Sequence, residues 1–174
     1  MASDLARAIT ALVALDREVE ARQRDRRLLR KATEQVALLL IERTRVGDQA
    51  IVNGIVYRTE QVTWPIEDDN GNPRPHPYGA RALLRDDKVL VVGERDNRGR
   101  ATAVAVGPRL GRRAQNPAEP VTYDLHVASD DDRLVFAQEV GAVIEAFRPT
   151  VAADADELRA ASTDLVDALV RLLA

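Results

Sequence analysis

Residues Ser3 to Gly47 read as one uninterrupted α-helix, and no other segment restricts the fold as much. Ser3 can cap the first turn and Asp4 sits where the helix dipole favours an anion. Arg43 and Arg45 precede Gly47, a natural terminator. Between these ends there is no proline or glycine, and Ala, Leu, Arg, Glu and Gln favour helix almost throughout. About 43 helical residues would span roughly 65 Å, against a diameter of roughly 40 Å for a compact body of this chain length. The helix is therefore expected to overhang its own domain.

The charge along this helix switches at its middle, from Asp16, Glu18 and Glu20 to Arg22, Arg24, Arg26, Arg27, Arg30 and Lys31. A heptad seam runs through Leu5, Ala8, Leu12, Leu15, Val19, Arg22, Arg26, Leu29, Thr33, Val36 and Leu40, with the Arg22 to Arg27 stretch solvated. Glu18–Arg22 and Glu20–Arg24 place an acid four residues before a base, which supports the middle turns. Val36 to Ile41 is apolar on nearly every face, and that end is expected to be buried.

After Gly47 the pattern becomes strand-like. Gln49–Val52 and Ile55–Thr63 flank Asn53-Gly54, a type I′ hairpin signal. Pro65 to Gly79 holds four prolines and two glycines and predicts a long loop or flap without regular structure. Arg81 to Asp87 predicts a short helical turn. Lys88–Arg95 and Arg100–Val106 predict a second hairpin around residues 96–99, Gly107 to Pro120 a loop, and the alternating Val121–Ala128 a half-buried strand. Ser129 followed by Asp130, Asp131 and Asp132 starts a helix that should end at Pro149, and a last helix should cover about Asp154 to Leu173. The expected fold is α+β: a long N-terminal helix over 1–46, an antiparallel sheet of about five strands in hairpins over 47–128, and a C-terminal helical pair over 129–174.

Composition excludes more than it identifies. There is no cysteine, hence no disulfide framework and no thiolate chemistry, which fits a cytoplasmic protein. The N-terminus lacks the pattern of a signal peptide, and no apolar run is long enough to span a membrane. Charge is uneven: residues 1–46 carry +3, residues 47–129 are neutral, and residues 130–174 carry −6. The acidic C-terminal part could lie along the basic half of the first helix.

No GxSxG, Walker A or GxGxxG sequence occurs. Asp68, Asn70 and Asn72 fill the first three ligand places of an EF-hand, but Pro73 stands at the glycine place and Gly79 at the bidentate glutamate place, so the match fails. His76 and His126 lack zinc spacing. No cofactor or metal is therefore expected. The Arg-rich loops 95–100 and 107–113, with Arg109, Arg112 and Arg113, form a candidate anion-binding end of the sheet, although the acidic balance argues against a dedicated nucleic-acid binder.

The reading these features favour is a non-enzymatic structural or assembly protein. It would self-associate through its long helix with Leu5, Leu12, Leu15, Val19, Leu29 and Val36 at the interface, as a homo-oligomer or within a larger protein assembly. In an antiparallel pair crossing near Ala21, the acidic segment of one helix would face the basic segment of the other. The alternatives are a nucleic-acid or phosphate binder using the arginine loops, and an enzyme with a site under the 65–79 loop built from Asp68, Asp69 and His76.

Overall fold

The computed structural model describes residues 2–96, 98, 100–113 and 120–173, with side chains described for residues 10–153 and 156 within those ranges. The fold is α+β: a long helix α1 (Ala2–Arg43), a mostly antiparallel sheet, and a second long helix α2 (Asp130–Leu173). The strands β1 (Gln49–Val52), β2 (Ile55–Thr63), β5 (Ala80–Arg85), β6 (Lys88–Arg95) and β7 (Ala101–Ala103) lie side by side in that order. The short β8 (Gly111–Arg112) pairs antiparallel with the end of β2, and β9 (His126–Val127) runs parallel to β6. The strands β3 (Pro65–Glu67) and β4 (Pro73–Pro75) form a hairpin of their own. Asn53 (φ 52°) and Gly54 (φ 80°) both take the positive φ that a type I′ turn requires, as the Asn-Gly pair predicts.

The register of the central strands assigns each residue to one of two faces. Tyr57 and Thr59 on β2, Leu83 on β5 and Val91 on β6 face the helices, where they join Ala37, Leu40 and Ile41 of α1 and Phe136, Val143 and Phe147 of α2. Val62, Ala82, Leu84, Val89 and Val92 face the other way, under Leu110, Leu125, Val104 and Val106. The sheet is buried on both sides, which explains the continuous apolar run of β6. A bulge between Leu83 and Leu84 leaves Leu90 without a partner and sends it to the helix face together with Val91.

Gly93 allows α1 to approach β6 closely, since a Cβ there would lie 2.9 Å from Leu38 Cδ2. The helix ends where Thr44 Oγ1 donates to the Leu40 carbonyl (2.6 Å) and meets the Thr59 hydroxyl (2.7 Å). The Arg81 guanidinium donates to the Thr44 carbonyl, one of the acceptors that a helix end leaves open. α2 begins with a reciprocal cap: Asp132 N donates to Ser129 Oγ (3.2 Å), while Asp132 Oδ2 accepts the Ser129 N–H (3.0 Å).

Several elements depart from the sequence expectation. α1 ends at Arg43, short of Gly47, which instead takes a positive φ in the turn into β1. In the Val36 to Ile41 run, Leu39 is exposed and Val36 and Leu38 are half-buried, so burial is one-sided. The proline-rich segment contains the β3–β4 hairpin. Backbone bonds at Trp64–His76 and Asp68–Asn72 place Pro65, Pro73 and Pro75 at alternate positions whose missing N–H groups are not needed. Residues 81–87 are not helical: pairing with β2 and β6 on both sides makes Ala80–Arg85 a central strand despite its Ala, Arg and Leu content. The expected strand 121–128 reduces to β9 and a bridge between Leu125 and Leu110. The 107–120 loop contains β8, and its residues 114–119 lie outside the described set.

The two expected C-terminal helices are one. α2 runs through Pro149, so the described residues form two helices and not three. Proline removes the bond to the Glu145 carbonyl, but Glu145 and Pro149 are both exposed and water can satisfy that oxygen.

Candidate functional site

From Thr10 to Ala32 every residue of α1 except Leu29 is exposed, including Leu12, Leu15 and Val19. At 3.6 residues per turn, these three fall on the same stripe, roughly 100° wide, as Thr33, Ala37, Leu40, Ile41 and Thr44, which face the core. The same face is thus apolar at both ends of the helix and interrupted between Val19 and Thr33 by Arg22, Gln23, Arg26 and Arg30, while the body beneath it covers only its C-terminal part. Asp16, Glu18 and Glu20 and the basic residues from Arg22 to Lys31 are all exposed on this projecting stretch, which spans about 33 Å.

The six residues of the expected interface divide. Leu12, Leu15 and Val19 are open; Leu29 is half-buried at the edge of the body; Val36 is half-buried and packed against the helix-side core. Val36 is therefore engaged within the subunit, because the body reaches it before any partner could. The side chain of Leu5 lies outside the described residues, as do those of 154, 155 and 157–174 in the acidic C-terminal part.

Among the described residues, Arg100, Arg112 and Arg113 of the two loops have separate partners. Arg112 lies among three carboxylates: Nη2 is 2.6 Å from Asp87 Oδ1, Nη1 is 2.5 Å from Asp124 Oδ2 and Nε is 3.1 Å from Glu60 Oε2. Partial burial opposes its charge, but Glu60, Asp87 and Asp124 hold its pKa above the ordinary value. The same contacts with Arg112 and Arg58 lower that of Asp87. Arg113, its neighbour, donates through Nη2 to the Pro77 carbonyl (2.8 Å), and Arg109 is exposed. In the β6–β7 turn, Asp96 accepts the backbone N–H groups of Arg100 and Arg98 and pairs with Arg100, so its carboxyl is held below the usual range.

The 65–79 segment also separates. At the hairpin tip Asp68 Oδ1 accepts the N–H groups of Asn72 (2.8 Å) and Asn70 (2.9 Å), and these bonds lower its pKa. They make it a turn-closing residue. Among the described residues no group of three His, Asp or Glu side chains is placed to hold a metal. His76, at the base of the hairpin, stacks on Trp64 with ring centroids 4.4 Å apart, while His126 is exposed on β9.

His76 also lines a cavity of about 520 Å³ between the C-terminal end of α1, the base of the β3–β4 hairpin and the ends of β5 and β6. Its charged walls are Arg81, Arg95, Glu42 and Glu94. Asp68 and Asp69 do not reach it. Sequence reasoning missed Arg81 and Arg95 as members of one site, because the strand containing Arg81 was read as a helical turn. An arginine inside the apolar run Ala80–Leu84 was the available signal.

Compared with known proteins, the chain matches no protein family, no curated protein and no solved structure.

Proposed function

We propose that the protein is a non-enzymatic structural or assembly protein whose projecting N-terminal helix pairs with that of a second copy. The observation that supports this is the exposed stripe of Leu12, Leu15 and Val19 on a helix whose same stripe is buried further along. Isolated surface leucines need no explanation, but a phased row of them on an unsupported helix does.

An antiparallel crossing near Ala21 uses the stretch from Thr10 to Lys31, whose midpoint lies at the charge switch. It sets Leu12 opposite Leu29 of the second helix. Val19 and Leu15 then lie against the aliphatic stems of Arg22 and Arg26, whose charges meet Asp16, Glu18 and Glu20 across the pair. Val36 takes no part in this arrangement, since it packs against the core. Two-fold pairing of this kind is the commonest form of self-association.

Light scattering coupled to size exclusion should give twice the 19.2 kDa chain mass at micromolar concentration. Replacing Leu12, Leu15 and Val19 together by Ser should return a monomer with unchanged β-sheet content. A monomeric wild-type chain overturns the proposal. Reversal of Arg22, Arg24, Arg26 and Arg27 to Glu tests its electrostatic part, which fails if the mass is unaltered. A monomer that binds duplex DNA at 50 mM salt, with affinity falling steeply as salt rises, would favour the nucleic-acid reading of the basic segment instead.

A further inference from the structure

Two of the residues that line the cavity beside His76 carry a hydrogen-bonding atom with no protein partner among the described residues. Arg81 Nη2 serves the Thr44 carbonyl, but Arg81 Nε is buried without a partner among the described residues, and so is His76 Nδ1. A half-buried guanidinium with an unpaired N–H is poorly solvated, and an oxyanion held in the cavity against it compensates for its charge. Arg95 lines the same space, and burial together with its nearby positive charge pushes the Arg81 pKa below its ordinary value. Two guanidinium groups brought together in this way favour an anion between them.

The opposing charges limit which anion fits. Glu42 and Glu94 also line the cavity, and Glu42 Oε1 already accepts the Ala101 N–H (2.7 Å). With two carboxylates present, a doubly charged phosphate monoester meets repulsion that a single carboxylate largely avoids. The aromatic wall adds a shape requirement. His76 is stacked on Trp64 on one side and meets Tyr78 edge-on at 6.2 Å, and Tyr78 is 82% exposed, with its ring open to a further planar group.

We propose that this cavity binds a small planar organic monoanion, with its carboxylate against Arg81 and Arg95 and its ring against His76 and Tyr78. A volume of about 520 Å³ lies in the ordinary range for small-molecule sites. This site is independent of the projecting half of α1, so either proposal can fail without the other.

Trp64 is the only tryptophan in the chain, and its stack on His76 makes its fluorescence a reporter of the cavity. The full chain is titrated with benzoate, with uncharged benzamide and with phenyl phosphate. Benzoate should give a saturable change, with benzamide and phenyl phosphate weaker by about tenfold or more, the equivalent of one charge-assisted contact. Arg95→Ala should weaken benzoate by about tenfold with the far-ultraviolet circular dichroism unchanged. Arg95→Gln provides the same test should the alanine variant not fold. No saturable response to benzoate up to about 10 mM, beyond the millimolar range of weak specific binding, overturns the proposal. Equal binding of benzamide, tighter binding of phenyl phosphate, or unchanged affinity in the Arg95 variant also overturns it.

Discussion

Replacing Asp132 by Ala removes the most heavily used carboxylate described in the fold. Asp132 Oδ1 accepts from Lys88 Nζ (2.7 Å) and Arg85 Nη1 (3.1 Å), and Oδ2 accepts from the Ser129 hydroxyl (2.7 Å) and N–H (3.0 Å). The residue is only 7% exposed. Burial alone would raise its pKa, but the bonds from Lys88 and Ser129 more than reverse this and lower it from 3.8 to about 2.

At about 1.4 kcal/mol per pH unit, that difference corresponds to roughly 2 kcal/mol of stability. Because the folded pKa lies below the unfolded one, the contribution is complete above pH 4 and is lost as pH falls towards 2, with about 1 kcal/mol gone by pH 3. The alanine variant loses the cap as well and leaves Arg85, whose side chain is 15% exposed, without its carboxylate. Breaking a buried pair of this kind costs about 3–5 kcal/mol, or a fall in Tm of about 10 °C at this chain length. Urea unfolding followed by circular dichroism at pH 7 and pH 3 measures both quantities. A loss below about 1 kcal/mol at pH 7 refutes the stabilising role, by comparison with ordinary surface substitutions. A wild-type advantage that does not shrink at pH 3 refutes the electrostatic reasoning.

Tyr57→Phe removes the phenol bond to Glu139 Oε2 (2.6 Å) and should cost about 1–2 kcal/mol in chemical denaturation. Burial and this carboxylate raise the Tyr57 pKa, so spectrophotometric titration should show a tyrosine ionising above the ordinary range that is absent from the variant. Gly111→Ala would place a Cβ 2.6 Å from the Thr122 carbonyl oxygen and 2.8 Å from Val121 Cγ1; it should cost about 1–3 kcal/mol and reduce exchange protection of the Leu125 amide. Thr44→Val keeps the shape but removes the hydroxyl shared by Leu40 and Thr59, leaves the buried Thr59 oxygen without it, and should lower stability by about 1–3 kcal/mol.

The elements legible from sequence are those fixed by local chemistry. The Asn53-Gly54 turn, the strands on either side of it, and the unbroken course of α1 all follow from residues close together in the chain. The errors arise where distant contacts override local preference. Residues Ala80–Arg85 have helix-forming side chains but are held between two strands. Pro65, Pro73 and Pro75 discourage a sheet in general, yet their alternate spacing suits a two-stranded ladder. Pro149 resembles a helix end, but no glycine or cap follows it, and the chain continues as helix. The cavity was hidden for the same reason: Glu42, His76, Arg81 and Arg95 belong to four segments, and only the order β2–β5–β6 brings them together.

The phase of α1 links the fold to the proposed assembly. Had Leu12, Leu15 and Val19 lain on a different face from Ala37, Leu40 and Ile41, the projecting half could be regarded as a separate helix with an unrelated pattern. They share one face, so the same helix face meets two environments, the sheet in its C-terminal part and solvent before it, with Arg22, Gln23, Arg26 and Arg30 between its two apolar ends. Extending the body would have covered the remainder. The chain instead places an acid-to-base switch at the centre of the uncovered stretch. A symmetric antiparallel partner can satisfy that charge order while covering the stripe, whereas a parallel partner would set like charges beside one another.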